Sequence, residues 1–324
     1  MRLLKLVPDN TNIDFMKWRN IAFALSMLVA LGSIALVAVR GLNFGVDFQG
    51  GLSIRVAFNE APPLDVLRDQ IGGLGDGDAT IQESSGVALP GAAVRPEVLI
   101  RLPLPEEEEN AAARITTDVR NAIQTNYPGA TVLSVDSVSG KVSNELFRSG
   151  AWALGLAMLG IAVYIWFRFE WQFGVGALVT LAHDMAVIMG FFALTQLEFD
   201  LNVVAGLLAI VGYSLNDTVV IYDRIRENLR KYRKMEIVPL LNLSLNETLS
   251  RTIVTSMSIM MALLALLLIG PDVVFGLTAA ILFGTFIGTY SSIYISAPFL
   301  VWLGVKPDSF LKVDDPPGTR PQEV

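Results

Sequence analysis

The chain has 324 residues, 52% of them hydrophobic and 17% charged, with a mean hydropathy of +0.52 and a formal net charge of −7. That balance excludes an ordinary soluble enzyme and a nucleic-acid binder, and indicates a polytopic membrane protein with one polar insert. Cysteine is absent, which excludes disulfides, thiolate metal sites and a cysteine nucleophile, and the single histidine, His183, excludes multi-histidine metal ligation.

The first apolar run, Trp18 to Val39, follows Lys5, Lys17 and Arg19 and closes on Arg40 without a small-residue cleavage site. It is long enough to cross a bilayer, so an uncleaved transmembrane helix is expected over 18–39, behind a cytoplasmic segment 1–17.

Residues 40–148 change character. NFGVDFQGG, Asn43 to Gly51, supplies turn residues, and Leu52, Ile54, Val56 and Phe58 then alternate with smaller or polar neighbours, the period of a half-buried strand. Pro62 and Pro63 open a short helix that runs to Ile71 and stops at Gly72-Gly73. Strands are expected near Ala79 to Ser84 and Glu97 to Leu102, followed by a helix whose acidic start, Glu106 to Glu109, complements the helix dipole. Those carboxylates read as a solvated helix start rather than a cation site. A last strand over Thr131 to Val138 completes the order βαββαβ, which defines a ferredoxin-like α+β domain.

Beyond this insert, apolar spans are expected at 150–167, 173–195, 201–222, 253–269 and 273–303, a five-helix bundle over 149–303 that brings the total to six. Arg224, Arg226, Arg230, Lys231, Arg233 and Lys234 crowd the loop 224–250, which the positive-inside rule places in the cytoplasm. Both termini then lie in the cytoplasm and the insert in the periplasm. The proline-rich tail 304–324 is too polar to fold alone.

One stretch departs from packing logic. VGYSLNDTVVIYDRIREN, Val211 to Asn228, sets Ser214, Asn216, Asp217 and Thr218 inside an apolar span. A carboxylate at that depth costs roughly 2.5 to 3.5 kcal/mol on insertion scales, so Asp217 marks an ion or proton pathway or has a buried partner. Across the basic loop, LNLSLNETLSRTIVTSMS, Leu241 to Ser258, reads as an amphipathic helix entering the next span. Arg251 within it is the natural counter-ion for Asp217, and Thr252 and Thr255 make this segment polar as well. Because arginine keeps its charge, only the aspartate of such a pair can switch. The competing account has Arg251 snorkelling to headgroups while Asp217 hydrogen-bonds neighbouring hydroxyls.

His183-Asp184, in TLAHDMAVIMG, is a further polar pair and a candidate secondary relay. Neighbours on a helix point about 100° apart, which argues against a shared relay between these two. Glycines at 155, 160, 174, 176, 284 and 288 read as close-packing positions. Gly212-Tyr213-Ser214-Leu215 lacks the glycine that a rhomboid serine motif requires, and Tyr222-Asp223 has no accompanying GxGD, so intramembrane protease chemistry is not expected. No GxxxxGK[ST] loop is present to bind nucleotide.

NFGVDFQGG after the first helix, VGYSLNDTVVIYDRIREN, and LSRTIVTS make the chain resemble the SecF family, the smaller subunits of the SecD/SecF accessory complex of the bacterial Sec translocon, within the resistance-nodulation-division superfamily. The resemblance runs from about Lys17 to Trp302, in motif order and span order. It implies a proton-motive-force-coupled, inner-membrane subunit without a hydrolase site or cofactor, which assists late-stage preprotein export. Asp217 and Arg251 match the family's residues for proton conduction and coupling. The implied partners are SecD, the SecYEG channel, the preprotein at the periplasmic domain and the lipid bilayer, with YajC and YidC as further candidates. A proton-coupled small-molecule or lipid exporter half of the same superfamily is the alternative.

Overall fold

The computed structural model describes residues 11–75, 77, 79–84, 95–105 and 110–305. Lys5, Glu106 to Glu109 and the expected tail beyond Val305 lie outside the described residues. A 3-10 turn, Phe15–Trp18, leads into α1 (Arg19–Arg40). The turn is pinned to the far end of the bundle, where Asn242 Oδ1 accepts from the Met16 amide (3.0 Å) and Asn246 Oδ1 from the Ile13 amide (2.8 Å).

The motif NFGVDFQGG forms a single helical turn, α2 (Val46–Gln49), that bends straight into the central strand β1 (Gly51–Ala57). Gly50 and Gly51 have φ of +74° and +108°, and a Cβ at Gly51 would stand 2.7 Å from the Leu102 carbonyl oxygen, so glycine is required at that corner. The chain continues through α3 (Leu64–Ile71), β2 (Thr80–Ser84), β3 (Glu97–Leu102), α4 (Ala111–Asn126) and β4 (Thr131–Val138). The sheet order is β2-β3-β1-β4, antiparallel throughout, with a register irregularity between Arg55 and Val56 where β1 meets β4. This is the ferredoxin-like arrangement. Leu52, Ile54 and Val56 of β1 and Val98, Ile100 and Leu102 of β3 form its core against Leu67, Ile71, Ile115, Val119 and Ile123 of the two helices.

The membrane-grade helices follow as α5 (Gly140–Arg168), α6 (Trp171–Thr195), α7 (Leu201–Lys231) and α8 (Ile237–Ile269). The last span is made of α9 (Phe275–Ser291), a π-helical turn (Ser292–Ser296) and α10 (Ala297–Trp302). With α1, six helical spans are long and apolar enough to cross a membrane, as expected. The widened turn has a cause in Pro298: its ring would clash with the carbonyl four residues earlier in a regular helix, and one extra residue per turn relieves the clash.

Two expectations need correction. The basic segment 224–250 is mostly helix rather than loop, because α7 runs to Lys231 and α8 starts at Ile237. Ion pairs explain the extension: Arg224 reaches Glu247 at 2.7 Å and Glu227 at 2.5 Å, Arg226 meets Glu170 at 3.0 Å, and Arg168 meets Asp223 at 2.8 Å. The second span likewise begins ten residues before the expected start at Gly150, with the Ser139 hydroxyl capping the Val142 amide at the new boundary.

Candidate functional site

Asp217 lies in the middle of α7 and is only 3% exposed. Its Oδ2 accepts a long hydrogen bond from Ser256 Oγ of α8 (3.5 Å). Ser256 is itself a meeting point, receiving Thr289 Oγ1 of α9 (2.7 Å) and Tyr213 Oη of α7 (3.2 Å). One turn before Ser256 and Thr289 stand Thr252 and Thr285, whose buried hydroxyls find no hydrogen-bond partner among the described residues. The carboxylate therefore faces a surface of hydroxyls contributed by three helices.

Arg251 does not complete an ion pair. Its side chain is exposed, and among the described residues no contact within 4.0 Å joins it to Asp217, although it stays within electrostatic reach. The helical period supplies the reason: Thr252 and Ser256 share the inward face of α8, while Arg251 is turned about 100° away. The other expected residues divide in the same manner. Ser214 and Thr218 are buried with Asp217, Asn216 points outward, and Thr255 spends its hydroxyl on the Arg251 and Thr252 carbonyls of its own helix.

The His183-Asp184 pair is more connected than the sequence indicated. Asp184 is fully buried; its Oδ2 accepts from Ser214 Oγ (2.5 Å) and Ser291 Oγ (2.9 Å), and its Oδ1 lies 3.0 Å from His183 Nδ1. The two adjacent side chains are in hydrogen-bond contact although their positions diverge by about 100° around the helix. Asp184 thus binds α6 to α7 and α9. Sequence reasoning missed Ser291, Ser256 and Thr289, whose only signal was a run of hydroxyls in the fifth and sixth spans that packing explains equally well, and Tyr213, which stands inside VGYSLND with no polar partner in the local pattern.

The glycines of GTFIG do pack as expected. A Cβ at Gly284 would stand 2.6 Å from Ile210 and one at Gly288 3.1 Å from Ser214, so α9 lies directly on the polar stretch of α7.

A second cluster sits where the α+β domain meets the bundle. Glu198 and Asp200, in the connection between α6 and α7, both have carboxyls raised above their usual range by burial. For Glu198 the Arg101 guanidinium opposes that rise without cancelling it.

These features define a multi-pass membrane protein in which a ferredoxin-like domain is mounted on a bundle with buried carboxylates. Residues 118–306 match the family "Protein export membrane protein SecD/SecF, C-terminal", and residues 35–62 match the "SecD/SecF GG Motif". The chain is 45% identical over 303 residues to a protein translocase subunit SecF of Cereibacter sphaeroides, covering 93% of each, and 41% identical over 298 residues to that of Rickettsia rickettsii, covering 92% of this chain and 94% of the relative. It superposes on the crystal structure of SecDF, a translocon-associated membrane protein from Thermus thermophilus, with a TM-score of 0.81 and 32% identity. That match covers 92% of this chain and 40% of the longer SecDF chain. The chain belongs to the SecD/SecF family of protein-export membrane proteins, on the SecF side of it.

Proposed function

We propose that this protein is the SecF half of a proton-motive-force-coupled complex that assists late-stage preprotein export across the inner membrane together with SecD. The observation that carries the reading is Asp217: a carboxylate buried mid-span, facing hydroxyls of three helices, with no ion pair among the described residues. Such a group is the expected seat of reversible protonation in a membrane. Each proton crossing a ~100 mV potential releases about 2.3 kcal/mol, enough to shift a two-state equilibrium by more than tenfold. Asp217 takes up and releases the proton, Arg251 responds to the change of charge, and His183-Asp184, joined to the same helix through Ser214, is the secondary relay.

The partner reading draws on the outward face. Asn216 and Arg251 are exposed on membrane-grade helices, where lipid would be a poor neighbour, and a polar face of SecD accounts for them. The fact that this chain spans 40% of the SecDF chain supports the same reading. The basic end of α7, with Arg230 and Lys231, and the Arg233 and Lys234 that follow it, opposite the α+β domain, support cytoplasmic termini with the domain in the periplasm, where it meets the preprotein emerging from the SecYEG channel.

The test is preprotein translocation into inverted vesicles carrying Asp217→Asn with SecD. Proton-gradient stimulation is expected to disappear while gradient-independent translocation persists; stimulation that survives intact would refute the reading.

A further inference from the structure

The N-terminal end of α7, the helix that carries Asp217, is fastened to the α+β domain rather than to lipid. Asp47 of α2 accepts from the Leu201 amide at the first residue of α7 (3.0 Å), and Asp200 caps the helix through the Val203 amide (2.9 Å). Immediately before them, the segments 43–45 and 199 pair as backbone: the Phe199 amide donates to the Asn43 carbonyl (2.8 Å) and the Gly45 amide to the Phe199 carbonyl (3.0 Å).

Arg101 locks this arrangement from the sheet side. It projects from β3 with 10% of its side chain exposed, pairs with Glu198 at 3.0 Å, and donates to Asn43 Oδ1 (2.9 Å) and the Phe44 carbonyl (3.0 Å). One guanidinium thus holds the sheet, the segment entering it, and the connection into α7. A planar five-donor fork is suited to such a three-way contact, and a lysine is not. Behind it, the rings of Phe44, Phe48 and Phe199 pack at centroid separations of 5.8 to 6.0 Å.

The path from there to Asp217 is unbroken helix. Sixteen residues at about 1.5 Å each put the carboxylate about 24 Å from the junction, with no proline between Leu201 and Lys231. A helix under these conditions transmits displacement along its axis. We propose that Arg101, Glu198 and the 43–47 segment form a rigid strut that makes the α+β domain and α7 move as one body, so that a shift of α7 at Asp217 is delivered to the domain. Arg101 is a positioning residue in this scheme, acting through α7, and its functional part rests on the proton reading of Asp217.

Two measurements on the full chain in complex with SecD test it. Because this chain has no cysteine, spin labels can be placed at Asp65→Cys on α3 and Asn202→Cys on α7 without background from it, with the label attached before SecD is added. The label-to-label distance distribution is expected to be narrow in the parent protein and at least twofold broader with Arg101→Ala. An unchanged width overturns the strut whatever Asp217 does. In vesicles, Arg101→Ala is expected to lose proton-gradient stimulation at least fivefold while gradient-independent translocation is kept, and Arg101→Lys to recover only part of it. A broadened distribution with stimulation intact overturns the transmission. Asp217→Asn, run beside it, separates the two ideas: if that variant keeps its stimulation, the proton reading falls and the distance measurement still decides whether the strut exists.

Discussion

Ser214 and Asp217 lie one turn apart on α7 yet belong to different carboxylate sites: Ser214 donates to Asp184 at 2.5 Å, whereas Asp217, among the described residues, receives only the 3.5 Å bond from Ser256. One helix therefore carries a tightly satisfied aspartate contact and a loosely satisfied aspartate within a single turn. A bond at 3.5 Å is at the edge of what geometry allows, and a carboxylate held so loosely is available for exchange.

Removal of either hydroxyl should register every bond it makes. Ser214→Ala strips a buried, short bond to Asp184 and is expected to cost about 1 to 3 kcal/mol. Ser256→Ala removes the weak bond to Asp217 and also the buried acceptor of Thr289 Oγ1 (2.7 Å) and Tyr213 Oη (3.2 Å), so it is expected to cost a similar amount, about 1 to 3 kcal/mol. Thermal unfolding of the two variants in matched detergent checks this; a Ser256→Ala loss well below that of Ser214→Ala would show that the Thr289 and Tyr213 bonds add no stability.

Glu198 gives a pH signature with a definite sign. Its carboxyl is raised by burial, so the folded protein holds a proton that the unfolded chain releases above its ordinary value of 4.5. Stability contributed by Glu198 is therefore full below that value and declines as pH rises through the raised one. Glu198→Gln has no such slope. Its stability relative to the parent is expected to increase between about pH 4 and about pH 7, whatever the constant offset from losing the Arg101 pair. Melting temperatures across that range read the difference, and a flat difference would contradict the direction of the shift.

Close approach of α7 and α9 predicts intolerance at Gly284. A methyl there would meet Ile210 atoms at 2.6 to 2.8 Å, spread along that side chain rather than at its tip, so rotation cannot clear it. Gly284→Ala is expected to destabilise by about 1 to 3 kcal/mol, and Ile210→Ala in the same chain to restore part of the loss. Melting of the single and double variants measures the coupling.

At the opposite end, Asn228 is 1% exposed and its Nδ2 donates to Ser244 Oγ (3.0 Å) and Glu247 Oε2 (2.7 Å), joining α7 to α8. Asn228→Leu leaves the partly exposed Glu247 with Arg224 and the buried Ser244 with the Leu240 carbonyl, so the loss is expected to stay near 1 to 2 kcal/mol. Limited proteolysis at the 232–236 connection should accelerate in the same variant.

Periodicity made most of the fold legible. The alternation through Leu52, Ile54 and Val56 located β1, the strand over Thr131 to Val138 has its expected bounds, and the apolar runs located every span. Helix ends were harder wherever ion pairs such as Arg224–Glu247 carry a helix past its apolar portion, because charge alone reads as loop. At the site, Asp217 stood out by its cost in an apolar span, and no comparable signal marked Ser256, Thr289 or Ser291, whose hydroxyls suit close packing equally well. Arg251 was visible as a charge, but its direction around α8 depended on which neighbouring residues faced inward, and that emerges only from three-helix packing. NFGVDFQGG read as a turn; its hold on the 196–200 connection is long-range and leaves no trace in local pattern.

The extra residue in the turn at Ser292–Ser296 divides the sixth span into two screws out of phase by about 100°. Ser291 at the end of the first screw serves Asp184, while the Ser296 carbonyl at the start of the second accepts the Tyr222 hydroxyl at 3.2 Å, near the basic end of α7. Without that phase offset a single helical stripe would have to reach both partners. The proline that enforces it thus lets one span address two helices at two levels, α6 at the buried Asp184 and α7 at Tyr222, five residues beyond Asp217.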